Sequence, residues 1–428
     1  MLGTLFERIN VPYHIFERAT ELRSLGAAMT LGANILPVFE QLGLLEEIEK
    51  VSLPCPSLDF YDANVQKLGS ITLMGKEGTG YENLLFPRPQ LYELLRKQVP
   101  PSKITLNKKV LAIEDIGDRV AIRCADGTTY EGDILIGADG AYSAVRQSLY
   151  KQMDDKNILP KGDLESLAIG YVSMVGVATP PNPEKYPQLK DKVSHFSQVL
   201  GDSMRSWTVV SVPNNQICWG LGIQLTDAQA QDQQFRNSEW GPEANETMIQ
   251  DFQDMPTPWG GNMGEIIRAT PKDLISKVFL EEKIFKTWYH GRVVLIGDAC
   301  HKMLPGAGLG AVNAMHDAVV LANCIYNITN LGDKGIKAAF KEFYSQRYDY
   351  SYDQFKNSSA MSRTMFGQTW TERLLRKMIL NYLSNWVQQQ NFAKTLSYRP
   401  QIAWLPLAED RGTIRVLPQT GKRGVIEK

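Results

Sequence analysis

What this chain has little of narrows its class before any motif is considered. Cysteine is scarce: five residues in 428 (Cys55, Cys124, Cys218, Cys300 and Cys324), with no C-x-x-C spacing. That argues against both a disulfide framework and a zinc site, and it favours a reducing, cytoplasmic compartment. Net charge is nearly absent, with 46 basic against 47 acidic residues, so no global field recruits nucleic acid. No run of about 18 apolar residues occurs, and the first residues acquire charges at Glu7 and Arg8 without a small-residue cleavage site, so neither a membrane span nor a signal peptide is expected. The N-x-S/T triplets at Asn245, Asn327 and Asn357 therefore carry little weight. Internal repeats and low-complexity tracts are also lacking. What remains is a globular composition, 43% hydrophobic and 22% charged, long enough for two or three domains.

The pattern begins as α/β. Residues 1–8 are helix-compatible, and Tyr13-His14-Ile15-Phe16 reads as a buried strand ending in Glu17-Arg18. A helix is expected over 34–50 and another over 89–99, where Pro89 suits a first turn. Strands are expected over 57–73, 109–114, 120–124 and 129–136, with Asp126-Gly127 turning one hairpin. From about 165 to 290, alternating segments such as SWTVVSV and QICWGLGIQL suggest an antiparallel sheet in a second domain. A strand over 292–296 and a helix over 310–326 return to α/β, residues 334–395 read as mainly helical, and the last thirty form an irregular tail. The expected division is 1–160 (with inserted strands at about 52–75), 161–288, 289–330 and 331–428.

The glycines of LPGAGLGA, near residue 308, fit a loose dinucleotide-binding pattern but fail its context. Nine residues separate the end of VVLI from Gly306, and no second strand carrying a ribose-binding acid follows. The acid is instead at the other end of the chain. Glu17 closes an apolar strand, and counting back about 20 residues puts the first glycine of such a fingerprint before Met1. Residues 1–8 then read as the remainder of the first helix.

Four segments combine into something more specific: Phe16-Glu17-Arg18; Phe86-Pro87-Arg88; Gly137-Ala138-Asp139-Gly140-Ala141-Tyr142-Ser143-Ala144-Val145-Arg146; and Gly297-Asp298-Ala299-Cys300-His301 with Pro305. Over roughly residues 1–325 the chain resembles the FAD-dependent monooxygenases of the aromatic hydroxylase class, similar to p-hydroxybenzoate hydroxylase and to fungal meroterpenoid epoxidases. The resemblance implies an α/β, Rossmann-like FAD-binding domain of the glutathione-reductase type, N-terminally truncated, with an α+β antiparallel-sheet substrate domain and a helical C-terminal region. It implies that Glu17, followed by Arg18, meets the adenosine ribose, that Arg88 lies by the phosphates and ribityl chain, and that Ala28 approaches the cofactor through its backbone. Asp139 and Gly140 fall on the motif associated with both FAD and NAD(P)H, and Asp298 on the aspartate that meets a ribityl hydroxyl. Pro305, Gly308, Leu309, Gly310 and Ala311 would form the flavin-ring loop, with the positive end of the following helix aimed at the ring. The implied chemistry is FAD reduction by NAD(P)H as co-substrate, then transfer of one oxygen of O2 to an aromatic or polyprenyl-type substrate through a flavin C4a-hydroperoxide.

No catalytic side chain emerges. His301 and His316 flank the loop, but packing or capping is the ordinary role of such histidines. Tyr171, Trp207 and Trp219 lie on substrate-domain strands, where core packing outweighs pocket lining. Residues 371–387 carry Leu375, Met378, Ile379, Tyr382 and Trp386 at helical spacing beside Arg373, Arg376 and Lys377; a docking helix is the default, and contact with an intracellular membrane surface is the other reading. The departure from the family is the missing first strand and phosphate turn, without which strands ending at Glu17 and Asp139 lack a common neighbour. The alternative function is a truncated paralogue that binds a small molecule or partner without redox turnover. A flavin reductase or halogenase is a third reading, and the W-x-W-x-I motif of the halogenases is not found.

Overall fold

The computed structural model describes residues 1–22, 26, 28–201, 204–226, 245–367, 369–382 and 393–419. Its central feature is an eight-stranded mixed sheet. Strands Ala168–Ala178, Phe196–Leu200, Arg205–Val212, Gln216–Gln224 and Ser276–Ile284 supply its antiparallel core. Strands Ser57–Asp62 and Lys67–Thr72, read as an insertion in the first α/β segment, extend this same sheet: Ser57–Asp62 pairs parallel with Phe196–Leu200. Alternation along the strands separates two faces. One face sends Trp207, Val209, Trp219, Leu221 and Phe279 into a core closed by helices Glu246–Phe252 and Met263–Arg268. The other sends Val210, Val212 and Cys218 against Leu85, with Ala28 packed alongside.

The α/β part has shorter ladders. Ile15–Phe16 pairs parallel with Ile104–Thr105, and Leu135–Gly137 pairs parallel with Val293–Leu295; among the described residues no ladder joins these two pairs. The helix expected over 34–50 is two helices, Leu36–Gln41 and Leu45–Lys50. Gly43 separates them at a φ of +72°, a left-handed value that stops a helix and costs glycine least. The strand expected over 129–136 is likewise two, Thr129–Gly132 in a hairpin ladder and Leu135–Gly137 in the parallel one. A single run of apolar alternation cannot show that its two halves pair with different partners.

Helix Gly310–Tyr326 is apolar nearly all round and correspondingly buried. Its Val312, Met315 and Val319 pack in one cluster with Leu5 and Phe6 of helix Leu2–Arg8. The 34-residue helix Asp333–Phe366 spans the molecule, placing Phe340 and Phe343 in the α/β core and Met365 against Phe60, Ile71 and Leu200 of the large sheet. The C-terminal stretch is irregular yet anchored: Ile402 is fully buried, Gln41 exchanges hydrogen bonds with it, and the buried Arg399 donates to the Thr79 carbonyl at 2.9 Å. Of the residues 371–387, the structure describes the helix Trp370–Tyr382; Trp386 lies outside the described residues.

Candidate active site

Two strand ends create the centre of the site. Gly137 pairs with Leu295, so the turns that follow, carrying Asp139-Gly140 and Gly297-Asp298-Ala299, leave adjacent parallel strands at their C-terminal ends, the usual ligand end of an open α/β sheet. A side chain at Gly137 would strike Leu295 and Val145, at 2.7 and 2.9 Å, so glycine permits the helix after the turn to sit tightly on the strand. Arg146, buried, ties the two turns together by donating to the carbonyls of Ala299 at 2.9 Å and Ala141 at 2.7 Å while lying over the Phe285 ring. Asp139 turns its carboxylate inward, accepting from the Ser143 hydroxyl and from the Val145 amide at 3.1 Å; Ser143 in turn caps helix Ala144–Asp155. Its structural role is thus helix nucleation at the site's edge. Asp298 is half-buried and paired with Lys302 at 2.6 Å. Beside it, Tyr142 donates to Glu281, whose carboxyl burial pushes upward while that bond pulls it back.

The loop beyond is built for close approach. Pro305–Ala307 makes a short 3-10 turn, Gly308 takes a left-handed φ of +65°, and helix Gly310–Tyr326 begins without a side-chain cap. Added Cβ atoms at Gly308 and Gly310 would meet nothing within 4 Å, so there is open space beside both glycines at the positive end of a helix that no side chain caps. On its other side the loop is held: Ser358 donates to the Leu304 carbonyl at 2.5 Å, and a Cβ at Gly306 would collide with Ser362.

Under the loop is a buried ionic network that sequence reasoning missed. Asp317 accepts from the Gly297 amide at 2.8 Å, from His301 Nε2 at 2.6 Å and from Arg347 Nε at 2.7 Å. Burial alone would push its carboxyl up, but His301, Arg347 and their hydrogen bonds bring it down to about 2. Arg347 also reaches Asn313, Ser351 and the Tyr398 hydroxyl. Cys300, His301 and Asp317 are close enough to suggest a metal site. The guanidinium already on the carboxylate, and a Cys300 thiol that burial holds in its protonated form, oppose a cation there. His316 donates from Nε2 to the Asn34 carbonyl at 2.8 Å, and burial followed by the nearby Arg347 charge lowers it to about 3. Both histidines are fully buried and serve packing and positioning.

The remaining expected residues fall into two groups. Ala28 pairs directly with Pro87, which sets Ala28 beside Arg88, the exposed first residue of helix Arg88–Arg96; a Cβ at Gly26 would meet the Arg88 stem at 2.9 Å. Glu17 is half-buried at the end of Ile15–Phe16 and accepts from the Ala19 amide at 2.9 Å, with the exposed Arg18 next to it. Trp207 and Trp219 are core residues, donating to the Pro256 carbonyl and to Thr270, each at 2.8 Å. Tyr171 is on the opposite sheet face, edge-on to Phe366 at 5.9 Å. Gly220 opens the middle of that face, where an added Cβ would meet only Val175 at 3.8 Å, whereas one at Gly222 would lie 2.8 Å from the Ser206 hydroxyl; the half-buried Ser173, Val175 and Thr208 flank these positions.

Comparison with known proteins agrees with this geometry. Residues 261–342, which include the Asp298 turn and the Pro305–Ala311 loop, match the family model described as FAD binding domain. The chain is 26% identical to the FAD-dependent monooxygenase atmM of Aspergillus flavus, covering 96% of this chain and 85% of that one. It is 28% identical to the FAD-dependent monooxygenase ptmM of Penicillium ochrochloron, covering 86% and 88%. Among solved structures, Klebsiella pneumoniae HpxO complexed with FAD and uric acid superposes with a TM-score of 0.73 at 20% identity, over 93% of this chain and 94% of that one. These likenesses bear out the class that the motifs predict, an FAD-dependent monooxygenase of the aromatic hydroxylase type, and the fold of a large mixed sheet with a helical C-terminal region.

Proposed function

We propose that this chain holds FAD with its ring against the Pro305–Ala311 loop and oxygenates a flat or extended apolar molecule, aromatic or polyprenyl in type, lying on the glycine-floored face of the large sheet. The observation that carries this reading is the uncapped start of helix Gly310–Tyr326, with open space beside Gly308 and Gly310 at that end. Those donors fit an anionic ring edge. When bound, FAD would supply hydride acceptance from NAD(P)H and the activation of O2.

The chain's own residues do the rest. Asp298 would accept from a ribityl hydroxyl while Lys302 fixes its orientation, Glu17 and Arg18 would meet the ribose, and Arg88, with the Ala28 backbone beside it, would lie along the ribityl and phosphate path. Asp139 and Gly140 would shape the edge where FAD and NAD(P)H meet. Leu309 and Ala311 add no polar group, so they would bring only backbone to the ring. Val175 and Tyr171, the apolar side chains of this sheet face beside Ser173 and Thr208, would help to keep water from the reacting atoms.

The finer fold assignment belongs to the same proposal: a Rossmann-like FAD-binding unit of the glutathione-reductase type from residues 1–160 and 289–330, a substrate domain over 161–288, and a helical region from 331 onward. No helix among the described residues is long and apolar enough to cross a membrane, and we place the enzyme in the cytoplasm, with the C-terminal helix as its route to any membrane.

The test is turnover with FAD, NADH or NADPH and isotopically labelled O2 on a panel of prenylated aromatic compounds. One labelled oxygen in the product, dependent on FAD, is expected. FAD retained without reduction by NAD(P)H would instead identify a binding protein without redox turnover.

A further inference from the structure

The helix Trp370–Tyr382 carries its apolar residues on the wrong side for a docking helix. At 3.6 residues per turn, Trp370, Leu374 and Met378 fall within an arc of about 80°, and all three point outward: Trp370 is 76% exposed, Met378 53% and Leu374 51%, with Leu375 at 48% beside them. The opposite side already packs. Leu380 is buried with Phe60, Ile71 and Leu200, and the helix backbone crosses strand Lys67–Thr72 so closely that a Cβ at Gly69 would lie 2.7 Å from the Leu380 carbonyl oxygen. Arg376 fastens the helix to its predecessor, donating to the carbonyls of Met365 at 2.7 Å and Gly367 at 3.1 Å. The outward stripe is therefore a fixed feature of a well-seated helix.

Charge identifies what covers it. Arg373 and Lys377, one turn apart and both exposed, border the stripe along one edge. The helix's acidic residue, Glu372, is turned back to the Thr369 amide and hydroxyl, at 3.0 and 2.7 Å. Apolar residues with a basic border suit the boundary between acyl chains and anionic headgroups. We propose that the helix Trp370–Tyr382 is a peripheral docking surface for an anionic phospholipid bilayer, lying in the membrane plane. The position gives it a purpose that rests on the oxygenase reading. Helix Asp333–Phe366, which ends beside this surface, contacts the flavin-ring loop through Ser358 and Tyr171 of the substrate sheet through Phe366, so docking would set the site close to a store of lipophilic substrate.

The test needs no turnover, so it can fail independently of the enzymatic reading. The full chain is sedimented with phosphatidylcholine vesicles prepared with and without phosphatidylserine. We expect binding that requires phosphatidylserine and weakens with salt. R373Q/K377Q should reduce it by about five-fold per charge, or about 25-fold together. W370S/L374S/M378S should abolish it while leaving the far-ultraviolet circular dichroism unchanged, because all three side chains are exposed. Absence of vesicle binding, or binding indifferent to both variants, would overturn the proposal. So would a triple variant whose only change is loss of concentration-dependent self-association, because the stripe would then belong to a second copy of the chain.

Discussion

Replacing Asp317 by alanine removes the one carboxylate that joins the Gly297 turn, His301 and Arg347. Both Asp317 and Arg347 are fully buried, so the substitution leaves a guanidinium without its counter-charge, although Asn313, Ser351 and Tyr398 still accept from it. Breaking such a pair costs about 3–5 kcal/mol. For a cooperative unit of about 200 residues that corresponds to a fall of about 6–20 °C in melting temperature. Near-ultraviolet circular dichroism is a suitable assay, because Trp288 is buried with its ring 5.1 Å from that of His301. The pairing itself is tested by adding Arg347→Met: with the stranded charge gone, D317A/R347M should be less destabilised than the sum of the single variants. An Asp317→Ala melting temperature unchanged within about 1 °C, or strict additivity in the double variant, would refute the account of this network as one ionic unit.

Two further predictions concern pH and substrate. His316 is neutral in the fold because burial, then Arg347, lowers it from 6.5 to about 3, whereas the unfolded chain protonates it near 6.5. Its contribution to stability is therefore complete above pH 6.5 and lost progressively as pH falls toward 3. Denaturation midpoints should decline across that window, and His316→Gln should flatten the decline; an unaltered slope would contradict the assignment. Gly220→Val places a branched side chain where an added Cβ meets only Val175, at 3.8 Å. FAD affinity should remain unchanged while kcat/KM for the apolar substrate falls by about 10- to 200-fold, the effect of a misplaced methylene or two; an unchanged kcat/KM would move the substrate off this face.

The parts of the site that lie in continuous stretches were legible in the sequence, because local geometry produces them. The strand-to-turn runs ending at Asp139 and Asp298, and the loop of Pro305, Gly308 and Gly310, each combine an apolar strand or helix with glycines, of which Gly137 permits close packing on Leu295 and Val145 and Gly308 takes a left-handed φ. Legibility failed where two distant segments must meet. Nothing local marks Asp317 as the partner of Arg347, thirty residues on, since both sit in helices of ordinary composition. The strands at 57–72 looked local to the first α/β segment, yet their partner is Phe196–Leu200; a parallel pairing leaves no turn signal to read. Nothing in the segment QICWGLGIQL singles out Gly220, and only the alternation fixed by the buried Trp219 and Leu221 shows which face it opens.

The central claim is that the Asp298 turn and the Pro305–Ala311 loop hold a flavin ring. The direct measurement is a visible absorption titration with FAD of the purified chain, alone and with a V-G-A-G-x-G-G strand–turn fused ahead of Leu2, alongside Asp298→Ala in each. Saturation at one FAD per chain with a shifted, structured flavin band, weakened by Asp298→Ala, is the predicted result. A folded chain that leaves the free-flavin spectrum unchanged in both forms would contradict it.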